Sequence, residues 1–498
     1  MTKPQIRAKA LFAALVFALV FIVLWRECNL ALHKPFWGDE GFDLLNTCPS
    51  AYGSTLFEGV SGQCSRAPLF YIFQRLINVN LSHLDQNILI WYRGMSLASS
   101  GLCLIVFLFS MEWLLGAASA LVGFVMFINQ PIYHQFAAEA RPYMMWIFTF
   151  TALLCSSSYI ASKKSSAHTG LAKLVFGLSA LSLTMTTSPG MIQVFGVFVS
   201  FVLCWTIFDK FKPLKPKEVF KNYFILMAGA ACFIGLRYAL SSCDLKDMDE
   251  YDLLNTRNFG LLSYVLELLW PPGSLITIVF NLLFLLGLAV PLLLWRSRQR
   301  LSRADRVRFS LGVNIVLQLL ATVVIMLLVT FKHHYFIQRV FIYLLACRSL
   351  AVALGFSYFA AVLVKKFPKM QWTLLPGVLT LVGAYLLHLD RVVFLHADYK
   401  TFAYAKDDAS CTHQLDGTLR AYFVPSKHSL EFSMNFYAGL GYEMSHCGWS
   451  PSSKTHYIVP RSGGQFRPMD YQIFDSIPAV AKLEPMLQCG REIVLTPK

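Results

Sequence analysis

Two adjacent carboxylates, Asp39 and Glu40, sit in the stretch Phe36-Trp37-Gly38-Asp39-Glu40-Gly41-Phe42-Asp43, among aromatic and glycine neighbours just past the first long apolar run. Carboxylates kept that close to lipid are costly unless something uses them. An ionised Asp39 suits the work of an acid or base, and the plainer alternative is a solvated acidic loop. Further on, Tyr133-His134-Gln135-Phe136-Ala137-Ala138-Glu139-Ala140-Arg141-Pro142-Tyr143 joins two apolar runs so tightly that Glu139 and Arg141 fall at the membrane rim. There they either neutralise one another or serve a site. A third stretch, Phe331-Lys332-His333-His334-Tyr335-Phe336-Ile337-Gln338-Arg339, brings more cationic groups to a rim. Lys332 and Arg339 suit phosphate recognition. The adjacent His333 and His334 also raise a metal ion, although neighbours in sequence rarely ligate one ion together, so a divalent metal is the one cofactor left open.

The elements that must hold these residues are membrane spans. The 498 residues are 56% hydrophobic, 14% aromatic and only 14% charged, with a mean hydropathy of +0.53, whereas a soluble domain carries about 25% charged residues. Runs near the ~20 residues that cross a bilayer recur at 11–25, 91–111, 117–133, 143–161, 171–188, 190–208, 222–240, 273–295, 309–330, 339–363 and 372–388, which makes about eleven spans. The first run has the basic flank and apolar centre of a signal peptide. Trp25-Arg26-Glu27-Cys28 follows where small residues would be needed for cleavage, so it is read as a retained anchor.

Lysine and arginine set the orientation, because short loops rich in them stay cytoplasmic. With the N-terminus inside, the inner segments carry Lys3, Arg7 and Lys9, Lys163, Lys164 and Lys173, a lysine group from Lys210 to Lys221, an arginine group from Arg296 to Arg308, and Lys365, Lys366 and Lys369. Their excess over Glu112, Asp209, Glu218 and Asp305 accounts for the whole net charge of +15. The basic balance is thus a topology signal, and nucleic-acid binding is not called for. The Asp39 loop and the C-terminus then lie on the outer face. Of twelve cysteines, Cys103, Cys155, Cys204, Cys232 and Cys347 fall in spans as packing residues. Cys28, Cys48, Cys64, Cys243, Cys411, Cys447 and Cys489 fall outside, where an oxidising compartment allows disulfides. Cys48–Cys64 closes the shortest loop, the number is odd, and connectivity is not legible.

Within the long first outer loop, Ala67 to Ile77 is apolar but too short to span and reads as an interfacial helix. Leu261–Trp270 reads the same way in an acidic outer loop. From 389 the chain turns polar, with Leu419–Val424, His456–Val459 and Glu492–Leu495 as short strands and Leu430–Ala438 as a helix. The expected fold is therefore an all-α polytopic membrane protein over 1–388, followed by a small extracytoplasmic α/β domain over 389–498. That domain has no glycine-rich nucleotide fingerprint and no CxxC or GxSxG motif.

The order of these features resembles the GT-C superfamily of polyprenyl-phosphate-sugar-dependent glycosyltransferases, in particular bacterial relatives of the protein O-mannosyltransferases and of the lipid A aminoarabinose transferase. The residues that carry the resemblance are Trp37-Gly38-Asp39-Glu40, Arg66-Ala67-Pro68-Leu69-Phe70-Tyr71, Tyr92-Arg93-Gly94-Met95-Ser96, Ala138-Glu139-Ala140-Arg141-Pro142-Tyr143 and Arg339-Val340-Phe341, across roughly 10–365. The resemblance implies that Asp39 is the catalytic base or acceptor-orienting acid, with Glu40 as its acidic partner and with inversion at the anomeric centre. Arg66-Ala67 stands where such proteins often have His-Pro, and the His333-His334 pair is not a general family feature.

A sugar on a polyprenyl phosphate already has a good leaving group. The enzyme must supply a base for the acceptor hydroxyl, cations for the departing phosphate and a path for the lipid. Asp39 fits the first need. Arg339, Lys332, His333, His334 and Arg141 fit the second, with Arg66, Arg93, Glu139 and Tyr143 as further substrate-binding candidates. The expected function is therefore an integral plasma-membrane (inner-membrane) glycosyltransferase acting on the periplasmic side, on a lipid, glycan or protein acceptor. A lipid-linked-sugar transporter is the alternative, which predicts charges at mid-bilayer and related halves. A non-catalytic receptor built on the C-terminal domain is a third.

Overall fold

The computed structural model describes residues 3–33, 68–79, 88–162, 169–187, 189–208, 258–271, 275–295, 301–331 and 341–395, and the strand segments 421–423, 456–460, 483–489 and 492–497. In chain order the helices are α1 (Lys3–His33), α2 (Pro68–Val79), α3 (Ile88–Leu115), α4 (Ala117–Ile128), α5 (Pro131–Ala137), α6 (Tyr143–Ser162), α7 (Thr169–Thr186), α8 (Gly190–Phe208), α9 (Asn258–Leu269), α10 (Leu275–Trp295), α11 (Arg303–Phe331), α12 (Leu344–Lys366) and α13 (Gln371–Leu395), with a 3-10 turn at Pro368–Met370 before the last. Seven of them are long and apolar enough to cross a membrane, and α4, α7 and α8 hold shorter apolar stretches. Together these account for ten of the expected spans among the described residues. The eleventh, 222–240, lies outside them.

Two spans differ from the sequence expectation. The first continues through Glu27 to His33, where a loop was expected from residue 26. It does so because the Glu27 carboxyl finds a buried partner, described below. The run at 117–133 was expected to be one helix, but it breaks into α4 and α5 around Asn129 and Gln130. Pro131 is the cause: it has no N–H to continue a helix, yet its fixed φ suits the first position of a new one. The joint between the second and third spans, at Glu112 to Gly116, is tight. Gly116 adopts a φ of 93°, open only to glycine, and its N–H bonds the Glu112 carbonyl at 3.0 Å.

The helices are arranged inside out relative to a soluble protein. Large apolar side chains of α1 (Leu11, Phe17, Phe21), α10 (Leu275, Ile278, Leu282, Leu292) and α11 (Leu320, Val323, Leu327) are exposed, while Thr149, Thr151, Ser156, Ser157 and Ser158 of α6 are buried. The hydroxyls of Thr149, Ser156, Ser157 and Ser158 donate to carbonyls of their own helix, those of Ser157 and Ser158 also accept from Asn314 of α11, and that of Thr151 accepts from the Cys103 thiol of α3. That is the pattern for lipid outside and helices within. The chain is an integral membrane protein.

Small residues set the closest helix pair. A Cβ on Gly287 of α10 would strike the Ala351 backbone of α12, and one on Gly355 would strike the Leu283 carbonyl. The backbones therefore pass in direct contact, as small-residue crossings in membranes do. The two helices run parallel, since Asn281 pairs with Arg348 on the N-terminal side of the crossing.

Beyond the helices, a four-stranded sheet has the order β1-β2-β4-β3, from Ala421–Phe423, His456–Pro460, Glu492–Pro497 and Leu483–Cys489. β1 and β2 are parallel, and the other pairings are antiparallel. A register shift between Pro485 and Leu487 falls where proline has no N–H for a ladder. Three of the strands are those expected from sequence; β3 was not. The helix expected at Leu430–Ala438 lies outside the described residues.

The α10–α12 crossing yields a first expectation. Gly287→Ala and Gly355→Ala should each lower stability by about 1 to 3 kcal/mol, because backbone must move to admit a methyl group. Gly377→Ala, with open space at its Cβ, should be neutral. Thermal unfolding of the purified protein in detergent checks all three.

Candidate functional site

Burial at one helix end builds the site. Glu27, near the C-terminus of α1, and His134 of α5 are both 0% exposed, with Nδ1 of His134 2.9 Å from Oε1 of Glu27. The other ring nitrogen lies 2.8 Å from the Ile128 carbonyl, the last of α4. A carbonyl only accepts, so Nε2 carries a proton. The proton between Nδ1 and Glu27 then makes either an imidazolium–carboxylate or an imidazole–carboxylic acid pair, and both are net neutral. Ser100 of α3 donates to the second Glu27 oxygen at 2.7 Å, and the Tyr133 hydroxyl closes the chain on Ser100 at 2.8 Å. Four helices are thereby tied through one carboxyl group.

One turn further out, Arg93 of α3 is fully buried and donates to the Ala31 carbonyl at 2.6 Å. That carbonyl is among the last four of α1, which have no partner inside the helix. A cation there also meets the negative end of the helix dipole. Gln74 of α2 donates to the Tyr92 carbonyl at 2.9 Å, which docks the short helix on α3. Ser96 holds the rim turn by accepting from the Arg141 N–H at 3.3 Å and donating to its carbonyl at 3.0 Å. Pro142 helps by steering Arg141 away from helical angles.

The turn presents two charged residues. Glu139 is fully buried and accepts from Gln135 at 3.1 Å. Arg141 lies over the Tyr143 ring at 5.5 Å from its centroid and donates to the Tyr143 hydroxyl at 3.4 Å. Tyr143 opens α6. Three residues on, Trp146 stacks on Tyr343 at 5.4 Å and donates to Gln193 of α8 at 2.9 Å. Tyr343 also bonds Thr322 of α11 at 2.6 Å and immediately precedes α12. Just over one turn into α12, Arg348 is 1% exposed and donates to Asn281 at 2.9 Å.

All five buried acidic, basic or histidine residues among the described ones, Glu27, Arg93, His134, Glu139 and Arg348, thus lie within about two helical turns of one end of the bundle. The structure brings Arg93, Glu139, Arg141 and Tyr143 to that end. Asp39, Glu40, Arg66, Lys332, His333, His334 and Arg339 lie outside the described residues. Glu27, His134, Ser100, Asn281 and Arg348 were not singled out from sequence. The available signal was an ionisable residue inside or next to an apolar run, which requires a partner. Among the described residues no three His, Cys, Asp or Glu side chains are grouped to hold a metal ion. Cys28, expected in an outer loop, lies within α1 as a free thiol, and Cys103, Cys155, Cys204 and Cys347 are buried free thiols, in keeping with packing roles.

Among solved structures, ArnT from Cupriavidus metallidurans bound to undecaprenyl phosphate matches with a TM-score of 0.58 at 11% identity, over 98% of this chain and 97% of that one. The same protein in the apo state matches with a TM-score of 0.57 at 13% identity, over 99% and 98%. No protein-family model and no curated protein sequence matches the chain. At such identity the likeness is one of fold, and the fold is GT-C-like, as the motif order implied.

The Glu27–His134 pair can be tested by a double-mutant cycle. Glu27→Leu and His134→Leu should each destabilise by about 3 to 5 kcal/mol, since each leaves the other group buried without its partner. The double variant should fall short of their sum by about 0.5 to 3 kcal/mol. Additive losses in thermal or denaturant unfolding would mean the two groups are not coupled.

Proposed function

We propose that this chain is an integral-membrane glycosyltransferase that moves a sugar from a polyprenyl-phosphate donor to an acceptor on the periplasmic side of the inner membrane. The observation that carries the reading is the end-to-end likeness of fold to ArnT, solved with undecaprenyl phosphate bound. The clustering of buried ionisable residues at one end of the bundle supports it, because a headgroup reaction needs its charges at that depth. A transporter would need them along a path through the middle.

In this reading the acceptor hydroxyl loses its proton to Asp39 as its oxygen attacks the anomeric carbon, and the polyprenyl phosphate leaves with the bonding electrons. The single displacement inverts the anomeric centre. Glu40 supports Asp39. Lys332, His333, His334, Arg339 and Arg66 offset the charge that develops on the departing phosphate, an interaction stronger in the transition state than before it. Arg141, held over Tyr143, presents a further cation, and Glu139 beside it suits sugar hydroxyls. Arg93 acts through the rim by fixing the end of α1, from which the Asp39 segment continues. A divalent ion, if one is bound, would add to the phosphate-facing charge. The apolar lipid-facing helices accommodate the isoprenoid tail.

Reconstituted protein should transfer sugar from a polyprenyl-phosphate donor, and Asp39→Asn should slow transfer by about 10² to 10⁴-fold, the range for loss of a general base. Equal rates would remove Asp39 from that role. Movement of a labelled donor across vesicles with its sugar untouched would replace the transferase reading with transport.

A further inference from the structure

Arg348 is a buried cation without a counter-charge among the described residues. Its guanidinium is 1% exposed, and Nη2 donates to the Asn281 side-chain carbonyl at 2.9 Å. Its Nε and Nη1 are buried and have no hydrogen-bond partner there. Asn281 is aimed by its own amide, which donates to the Pro271 carbonyl at 3.3 Å, but a neutral amide cannot offset a charge. The remaining charges on α12 are Lys365 and Lys366 at its far end, and α10 carries none. Glu267, on the α9 helix that packs against α12, is turned outward and exposed. An arginine is always ionised in practice, and a buried charge left unpaired is strongly unfavourable. Among the described residues the guanidinium therefore lacks its counter-charge, and the group that completes the site must be an anion.

Depth and surroundings say which kind. Arg348 is the fifth residue of the span Leu344–Lys366, and Asn281 is the seventh of Leu275–Trp295. The pair therefore lies about 6 to 9 Å inside two parallel helix ends. In a hydrocarbon layer about 30 Å thick, that is near headgroup level. The N-terminal ends of both helices add positive potential. Beside the pair, Leu275, Ile276, Ile278, Val279 and Leu282 of α10 are exposed to lipid, a surface along which an acyl or isoprenoid chain can lie. We infer that Arg348 and Asn281 bind the phosphate group of a membrane lipid between the N-terminal ends of α10 and α12. A polyprenyl phosphate and an anionic phospholipid present the same chemistry here. The inference stands on the buried guanidinium and does not require the transfer reaction.

The test uses the full-length protein purified in detergent, with lipid binding read by native mass spectrometry and by the rise in thermal midpoint. The probes are undecaprenyl phosphate and phosphatidylglycerol, with undecaprenol and diacylglycerol as phosphate-free controls. The phosphate lipids should bind and stabilise the wild type, and the controls should not. Asn281→Asp supplies a carboxylate against Arg348 with almost no change of shape. It should raise the midpoint of the lipid-free protein and weaken phosphate-lipid binding by about tenfold or more, as expected when an internal anion replaces a charge-assisted contact. Arg348→Met should abolish the phosphate preference, and Asn281→Asp keeps the test valid if that variant does not fold. Preference for undecaprenyl phosphate over phosphatidylglycerol identifies an isoprenoid occupant, and equal binding identifies bulk anionic lipid; both support the site. Phosphate-lipid binding by Asn281→Asp within twofold of wild type, or equal binding of undecaprenol, overturns it. Transfer activity is not the readout, so this site and the Asp39 chemistry can fail separately.

Discussion

The contact on which the rest of this structure depends is the bond between Glu27 and His134. A carboxyl group near the end of a membrane span is tolerated only if its proton and its charge are shared, and here the imidazole of α5 shares both. That one partner lets α1 run on as helix through Glu27 and places α5 directly against its final turns. With Ser100 and Tyr133 drawn into the same chain of hydrogen bonds, α3 and the end of α4 are fixed to it as well. The turn that follows α5 then has little freedom, and it is this turn that carries Glu139 and Arg141.

Polarity and packing are divided along the bundle axis. The buried acidic, basic and histidine side chains gather at one end, and the middle of the α10–α12 pair is held by glycines that let two backbones touch. The division follows from what each depth offers. In hydrocarbon no water competes, so helices associate through close van der Waals contact and small residues gain most. At headgroup depth, charges keep access to counter-ions and dipoles, so a cation can be stored there at lower cost.

Cations at that end serve different purposes. Arg93 points into the protein and fills the open carbonyl end of α1. Arg141 lies over an aromatic ring beside a buried carboxyl-bearing residue, a setting that leaves its direction fixed. Arg348 is held on one side by an amide that cannot neutralise it. Only the surroundings separate the three roles, since as residue types they are identical. The Trp146–Tyr343 stack joins the start of α6 to the start of α12, so the segment with Arg141 and the segment with Arg348 belong to one packed region.

Much of the helical fold is legible in the sequence, because a span is a local property. About twenty apolar residues in a row must become a helix in lipid whatever surrounds them, and the order of short motifs along those spans was enough to point to a GT-C-like arrangement. Pro131, Gly116 and the short apolar run that forms α2 are equally local signals, although the break at Pro131 was read as continuous span. What only the tertiary structure decided are the pairings: Glu27 with His134 across 107 positions, Arg348 with Asn281 across 67, Arg93 with the Ala31 carbonyl across 62. Composition states that such groups need partners but not which ones, because a partner is set by the distance between helix faces, and that distance depends on the crossings that glycine and side-chain packing allow.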